Sequence, residues 1–372
     1  MKKTMIATAV AAAFALPMAA QAEVTVYGKV HNTVMHVDAT GSGTDSDATT
    51  TEAWKVQDQT SKLGFKGSED LGGGVHAIWK YEMAYDTDTD GAVSGGRNAY
   101  VGLAGTFGTF LIGRHDTPYK MAWYAGGADF GDNYSIADMN GTGAGGDNVG
   151  RGHFDETRAN NAIAYVSPDM SGLKAAVAII PGEDTAGDTN GLADTYSVGL
   201  MYAGGGLKVG AGFERGVLGM DDALTPTTDT TDAATARSTA PSERRWHITG
   251  SYTYNNFSVG ASYADVKDDG NITGDEKTSF GLGAQAKFGK NTVGVNWRNS
   301  DVKETDATLT GAAITGTTSE GEVDSWAFFL AHALSKRTSV YAAVGQHTYE
   351  QDGNSAADQE TNEYGVGLYH SF

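Results

Sequence analysis

Most residues in this chain that could do chemistry lack the spacing their chemistry needs. Asp86-Thr-Asp-Thr-Asp-Gly91 opens like a calcium-binding EF-hand loop, but the twelfth position is Arg97 where a bidentate glutamate is required, and no helical pattern flanks it. Acidic loops of this composition take up divalent cations only loosely. Gly141, Gly143 and Gly146 have the G-x-G-x-x-G spacing of a phosphate cradle without the strand and helix that give the motif meaning. Nine histidines are scattered without zinc spacing, and there is no cysteine. No serine sits in a G-x-S-x-G nucleophile turn. The reading is therefore no catalysis, no cofactor and no metal centre.

What remains is charge on alternating positions and one unusual connection. Lys62 shares a face with Gly64 and Lys66, opposite Leu63 and Phe65, and Lys80 and Arg158 also fall on polar parity. For Arg97 and Arg114 the alternation is ambiguous, because their faces also carry Val101 and Ile112. The connection 116–156 mixes Tyr119, Trp123, Tyr124, Phe130 and Tyr134 with Asp129, Asp132 and Asp138. A plain solvated loop rarely carries five aromatics, and a loop this long is usually functional or disordered.

The elements that must position these residues are strands. In Phe280-Gly-Leu-Gly-Ala-Gln-Ala-Lys-Phe288 the residues Phe280, Leu282, Ala284, Ala286 and Phe288 share one face, while Gly281, Gly283, Gln285 and Lys287 share the other. About sixteen segments of roughly ten residues, the length a tilted membrane strand needs, show such a split. They span 24–37, 53–68, 75–86, 96–105, 108–115, 157–167, 172–181, 193–203, 206–215, 244–254, 257–267, 276–288, 292–303, 322–334, 338–350 and 361–372. Tight joints such as 204–205 and 255–256 alternate with polar connections rich in Asp, Thr and Gly at 38–52, 87–95, 116–156, 182–192, 216–243, 268–275, 304–321 and 351–360. Short turns on one side and long loops on the other describe a closed antiparallel barrel in a membrane. Lipid offers no hydrogen-bond partner, so no strand edge is left open. A barrel of this width keeps a watery lumen, and the connection 116–156, folded inward, would narrow it. Aromatics near strand ends, among them Tyr202, Phe213, Trp246, Tyr254, Tyr263, Trp297 and Phe372, suit interfacial girdles.

Composition agrees. Lys2 and Lys3 precede an apolar run from Met5 to Ala20 that ends in Ala20-Gln-Ala22, the build of a secretory signal. Residues 1–22 are expected to be removed and 23–372 to form the barrel; loss of two lysines takes the formal charge from -20 to -22. A mean hydropathy of -0.33 and the lack of an uncharged apolar run of about 18 residues past the signal exclude helical spans. A surface this negative repels nucleic acid.

Ser61-Lys-Leu-Gly-Phe-Lys-Gly-Ser-Glu-Asp-Leu-Gly-Gly-Gly74, Arg97-Asn-Ala-Tyr-Val-Gly-Leu103, Phe107-Gly-Thr-Phe-Leu-Ile-Gly-Arg-His-Asp-Thr-Pro118 and Gly367-Leu-Tyr-His-Ser-Phe372 resemble the general diffusion porins of Gram-negative outer membranes. That family usually has arginine where Lys62 stands and often arginine at Tyr369. The resemblance implies a sixteen-stranded barrel that forms a homotrimer, sits among outer-membrane lipid and lipopolysaccharide, and is delivered by the barrel-assembly machinery with Phe372 as signal. It also implies a constriction in which an inward-folded third loop faces a basic wall. Lys62, Arg97 and Arg114 match the wall, with Lys80 and Arg158 added by parity; Asp129, Asp132 and Asp138 form the acidic side, with Glu82 a further contributor. Such a transverse field across a narrow aqueous gap orders water and penalises bulky apolar solutes. The plainer alternative makes them ordinary solvated lumen charges.

The expected function is passive diffusion of small hydrophilic solutes and ions. The acidic loops suggest a slight cation preference and the basic wall opposes it. The alternatives are a solute-specific channel, an enzyme carried on a barrel, and a surface barrel used for adhesion.

Overall fold

Strict alternation becomes strand along nearly the whole chain. The computed structural model describes residues 23–42, 48–89, 93–131, 134, 158–182, 191–217, 242–268, 276–310, 313–353 and 358–372. The signal segment 1–22, Asp132, Asp138, the end of the calcium-like run at Asp90 and Gly91, and the glycines Gly141 to Gly146 lie outside the described residues. The strands are β1 (Glu23–Ser42), β2 (Ala48–Asp58), β3 (Lys62–Gly72), β4 (Val75–Tyr85), β5 (Val93–Gly105), β6 (Gly108–Asp116), β7 (Arg158–Val166), β8 (Leu173–Ile180), β9 (Thr195–Gly204), β10 (Leu207–Val217), β11 (Ser242–Tyr254), β12 (Phe257–Asp268), β13 (Glu276–Phe288), β14 (Asn291–Thr310), β15 (Ala313–Ala333), β16 (Thr338–Gln351) and β17 (Gln359–Ser371). Among the described residues a helix, α1 (Pro118–Gly126), follows β6.

Consecutive strands other than β2 and β3 pair antiparallel, and Lys29 to Thr40 of β1 pair with Ser371 to Glu360 of β17, which closes the ring. The upper part of β1 pairs with β2 and its lower part with β3. β2 and β3 are thus two halves of one stave, so the seventeen described segments make a closed barrel of sixteen staves. The break falls at Thr60, whose φ is 59°. Polar groups repair it: Ser61 N–H donates to Asp58 Oδ1 (2.9 Å), and Ser61 Oγ accepts from His31 N–H (2.9 Å).

The faces separate as the alternation requires. Val198, Leu200, Ile248, Leu282 and Val295 point outward and are exposed, whereas Ser197, Thr249, Ser262 and Asn296 point inward and are buried. Greasy outside and polar inside is stable only where lipid surrounds the wall. Ring pairs Tyr196–Phe213, Trp246–Tyr263 and Phe280–Trp297 step along neighbouring strands as an outer girdle.

Two expectations are corrected. The connections 38–52 and 304–321 are largely strand: β1 runs to Ser42, β2 begins at Ala48, and β14 and β15 extend to Thr310 and from Ala313. These extensions are rich in β-branched threonine, which favours a strand without supplying the apolar stripe that marks one. The connection after β6 also begins with a helix. Thr117 Oγ1 caps it by accepting from Lys120 N–H (3.4 Å), Pro118 occupies its first turn, and Gly127 ends it in the left-handed region at φ 60°.

Candidate functional site

The segment after β6 lies along the inner wall. Tyr119 N–H donates to Ser197 Oγ of β9 (2.9 Å), and Tyr119 O and His247 Nε2 of β11 lie 2.8 Å apart. Ser251 Oγ of β11 donates to Gly126 O (2.8 Å). Beyond the helix, Phe130 N–H donates to Asn296 Oδ1 of β14 (3.3 Å), and Asn296 Nδ2 donates back to Phe130 O. Tyr134 places its ring 4.8 Å from Phe329 of β15 and 5.0 Å from Tyr341 of β16. Burial there, with Tyr369 nearby, pushes the Tyr134 hydroxyl up to about 12. All of these partners sit on inward positions, so residues 117–131 and Tyr134 form a strap along the lumen side of β9 to β16. Glycines make room for it. A Cβ at Gly199 or Gly210 would run into the carbonyls of Pro118 or Ala122, and one at Gly260 or Gly283 into Ala128.

Phe130 also packs in one cluster with Met35 and Val37 of β1, whereas on β3 to β5 several inward positions are charged. Glu82 of β4, 2 % exposed, accepts from Arg97 Nε (2.6 Å) and Tyr27 OH (2.7 Å) and lies 3.3 Å from Lys80 Nζ. Lys66 Nζ and Lys80 Nζ stand 5.4 and 5.7 Å from the centre of the Tyr27 ring. Lys62 shares this inward face, two residues from Gly64, which pairs with both Tyr27 and Glu82. A second group forms at the end of β6. Asp116 pairs with Arg158 Nη2 (2.8 Å) and Lys120 Nζ (3.5 Å), and Asn98 donates to it (2.6 Å) while accepting from Arg158 Nε (3.2 Å). Both acids on this wall are therefore embedded among cations.

Arg97 and Arg114, ambiguous by alternation, separate. Tyr81 pairs with Ala99 but Met83 with Gly96, so a bulge sets Arg97 and Asn98 together across from Glu82. That extra residue turns Arg97 inward. Pairing of Arg114 with Ala99 and Ile112 with Val101 is regular, so Arg114 stays on the outward face of exposed Ile112 and Val101. It donates to Gly96 O (2.7 Å) and Asn160 Oδ1 (2.6 Å). The structure does not bring Arg114 to the basic wall. Glu82, expected opposite the cations, stands among them. Asp129 bonds Arg298 Nη2 of β14 (3.2 Å), which fastens the strap to the wall beneath it. Asp132 and Asp138 lie outside the described residues.

The matching family model is the Gram-negative porin family, over residues 7–353. The chain belongs to the Gram-negative porin family. Outer-membrane location goes with that membership. Major outer membrane protein P.IB of Neisseria gonorrhoeae is 31% identical over 218 residues, 55% of each chain. The porin thus spans little more than half the length of that relative in the match. P.IB of Neisseria lactamica is 27% identical across 100% of both. Among solved structures, an anion-selective porin from Comamonas acidovorans matches with a TM-score of 0.68 at 22% identity, covering 95% of this chain and 100% of its own. OmpF of Salmonella typhi, solved with daunomycin, matches at a TM-score of 0.56 and 17% identity, covering 94% and 97%. Both show the same fold.

Several residues that hold the porin's strap escaped motif reading. Arg245 pairs with buried Glu214 and lies 5.1 Å from the Tyr119 ring centre, and Arg298 lies 5.6 Å from that of Trp123. A usable signal was present: glycines recur at inward positions of successive strands at Gly199, Gly210, Gly260 and Gly283, and a small inward residue on a wide barrel marks where something rests.

Proposed function

We propose that this porin passes small hydrophilic solutes and ions by passive diffusion, through a lumen narrowed where the strap faces Lys62, Lys80, Arg97 and Arg158. The observation that carries the reading is the asymmetry of the walls, one lined by strap and the other lined by cations. Low-dielectric walls focus the field of those cations into the gap. Because Asp129 is engaged by Arg298 and the acids Glu82 and Asp116 by cations, the gap favours small anions, against the cation preference suggested by loop acidity. The Comamonas porin is likewise anion-selective. As in the trimer form of Vibrio cholerae OmpT, the working assembly is a homotrimer. It is embedded among lipid and lipopolysaccharide and assembled from mature residues 23–372 with Phe372 as signal. Phe372 exchanges two backbone bonds of 3.1 Å with Gly28 at the seam.

The test is single-channel recording of refolded protein under a KCl gradient. A reversal potential of anionic sign supports the reading, and a clearly cationic one overturns the selectivity. Silence from correctly folded protein overturns the channel.

A further inference from the structure

The fixed charges differ along the pore axis as well as across it. Lys174 and Lys208 are the second residues of β8 and β10, and Lys287 is the last but one of β13, all beside short turns. Each is inward. Lys174 alternates with buried Ala176 and Ala178, a Cβ on Gly127 of the strap would lie 3.6 Å from Lys208 Cδ, and Lys287 shares the face of Gly283 under the strap. Lys66 and Lys80 flank Tyr27 lower on the basic wall than Lys62. Acids of this half among the described residues are few. Glu23 at the start of β1 and Asp70 near the end of β3 share the inward parity of Tyr27 and Lys66, Glu69 lies on the outward face of Phe65, and Asp169 is a turn residue; Asp70 and Asp169 accept from Gly72 and Gly172 N–H (both 2.8 Å).

Toward the long loops more inward carboxylates appear, four of them beside an arginine: Glu82 with Arg97, Asp116 with Arg158, Asp129 with Arg298 and Glu214 with Arg245, with Glu363 of β17 a further one. By sequence, the acids behind the formal charge of -20 are concentrated in the connections at that end. The lumen therefore passes from near balance into a lysine-lined vestibule at the short-turn end.

We propose that this axial step in fixed charge makes the pore rectify. The inference rests on the open-channel reading above. In the lysine-lined half, anions are the mobile counter-ions; in the other half, both signs carry current. A voltage that drives anions from the lysines toward the long loops brings cations the opposite way, and both accumulate where the halves meet. The reverse voltage depletes that zone. Conductance is thus higher when the long-loop side is positive.

The chain has no cysteine, so Asn256→Cys in the turn between β11 and β12 lets an impermeant thiol reagent in one chamber report orientation. In about 0.1 M KCl the ratio of currents at opposite voltages is expected to reach roughly 1.5, and to approach one in about 1 M KCl as the Debye length falls from about 10 to about 3 Å. Combined Lys66→Gln, Lys208→Gln and Lys287→Gln should flatten the low-salt curve, while Lys267→Gln, outward and paired with Glu276 (3.2 Å), should not. Unmodified protein supplies a second test: inorganic tripolyphosphate should abolish rectification at lower concentration from the short-turn side. A linear low-salt curve, rectification of opposite sign, or equal potency from both sides overturns the inference while leaving the channel intact. Absence of any current overturns the channel itself.

Discussion

The two walls of the lumen solve opposite problems. Along β9 to β16 many inward positions are small, among them Gly199, Gly210, Thr249, Gly260 and Gly283, and the strap rests on them. On β3, β4, β5 and β7 they carry Lys62, Lys66, Lys80, Arg97 and Arg158. A barrel too wide to fill with side chains can be narrowed by backbone on one side or by long cations on the other. The first is rigid and unselective for charge, while the second is selective but makes little shape. Combining them gives one gap both properties.

The largest effect tests whether both sides of the covered wall are assigned correctly. Ala284→Arg puts a charge on the lipid face beside exposed Leu282, at a cost of about 2–4 kcal/mol near the midplane. Failure to form the heat-modifiable folded band on a gel is expected. Gln285→Arg, one residue on and inward, should fold normally, and equal failure of both would mean that the faces are exchanged. Gly283→Arg would not serve as a neutral control, since Ala128 and Phe130 rest on it.

Next comes the pair of arginines. Arg97→Gln removes the 2.6 Å partner of Glu82, and an under-satisfied buried acceptor costs roughly 1–3 kcal/mol. Lys80 and Tyr27 still serve Glu82, which favours the lower end. Unfolding should shift to lower denaturant, and the reversal potential should move toward cations. Arg114→Gln should leave the reversal potential unchanged; a shift as large as that of Arg97→Gln would return Arg114 to the lumen.

That pair also shows what sequence can and cannot reveal here. Alternation fixes a face only while the register is regular, and the bulge that turns Arg97 inward is a property of pairing with β4, invisible in β5 alone. Barrel, strand number, the inward placement of Lys62, Lys80 and Arg158, and the significance of the segment after β6 were legible because period two and loop rhythm are local. The start of α1 was legible too, in Thr117-Pro118 and Gly127, had the segment been read for caps as well as aromatics. Asp129 was not: its chemistry is set by Arg298, far along the chain, and no local pattern links them.

Smaller again is the fit of the strap. Gly210→Val meets the Ala122 carbonyl, and overpacking costs about 1–3 kcal/mol. Because the strap can lift from the wall, the lower figure is expected, accompanied by wider and noisier conductance steps. Lys66→Leu on the basic wall is remote from Ser197, His247 and Asn296, which hold the strap, so its steps should stay quiet while selectivity weakens. Noise from both variants would mean that the strap also leans on the basic wall.

The smallest effect concerns the strap's fastening. Asp129→Asn weakens the contact to Arg298, but Arg298 keeps its place near the Trp123 ring and Asn296 still clasps the Phe130 backbone. With Asp129 partly open to water the pair contributes no more than about 1 kcal/mol, so the melting temperature should barely move. The reversal potential then decides what the carboxylate does. An acid facing the gap would, on neutralisation, make the pore distinctly more anion-selective. One engaged beneath the strap exchanges a paired charge for a buried arginine that still repels cations only weakly from behind the backbone. The expected result is a shift well below that of Arg97→Gln, together with more frequent brief closures as the strap end loosens.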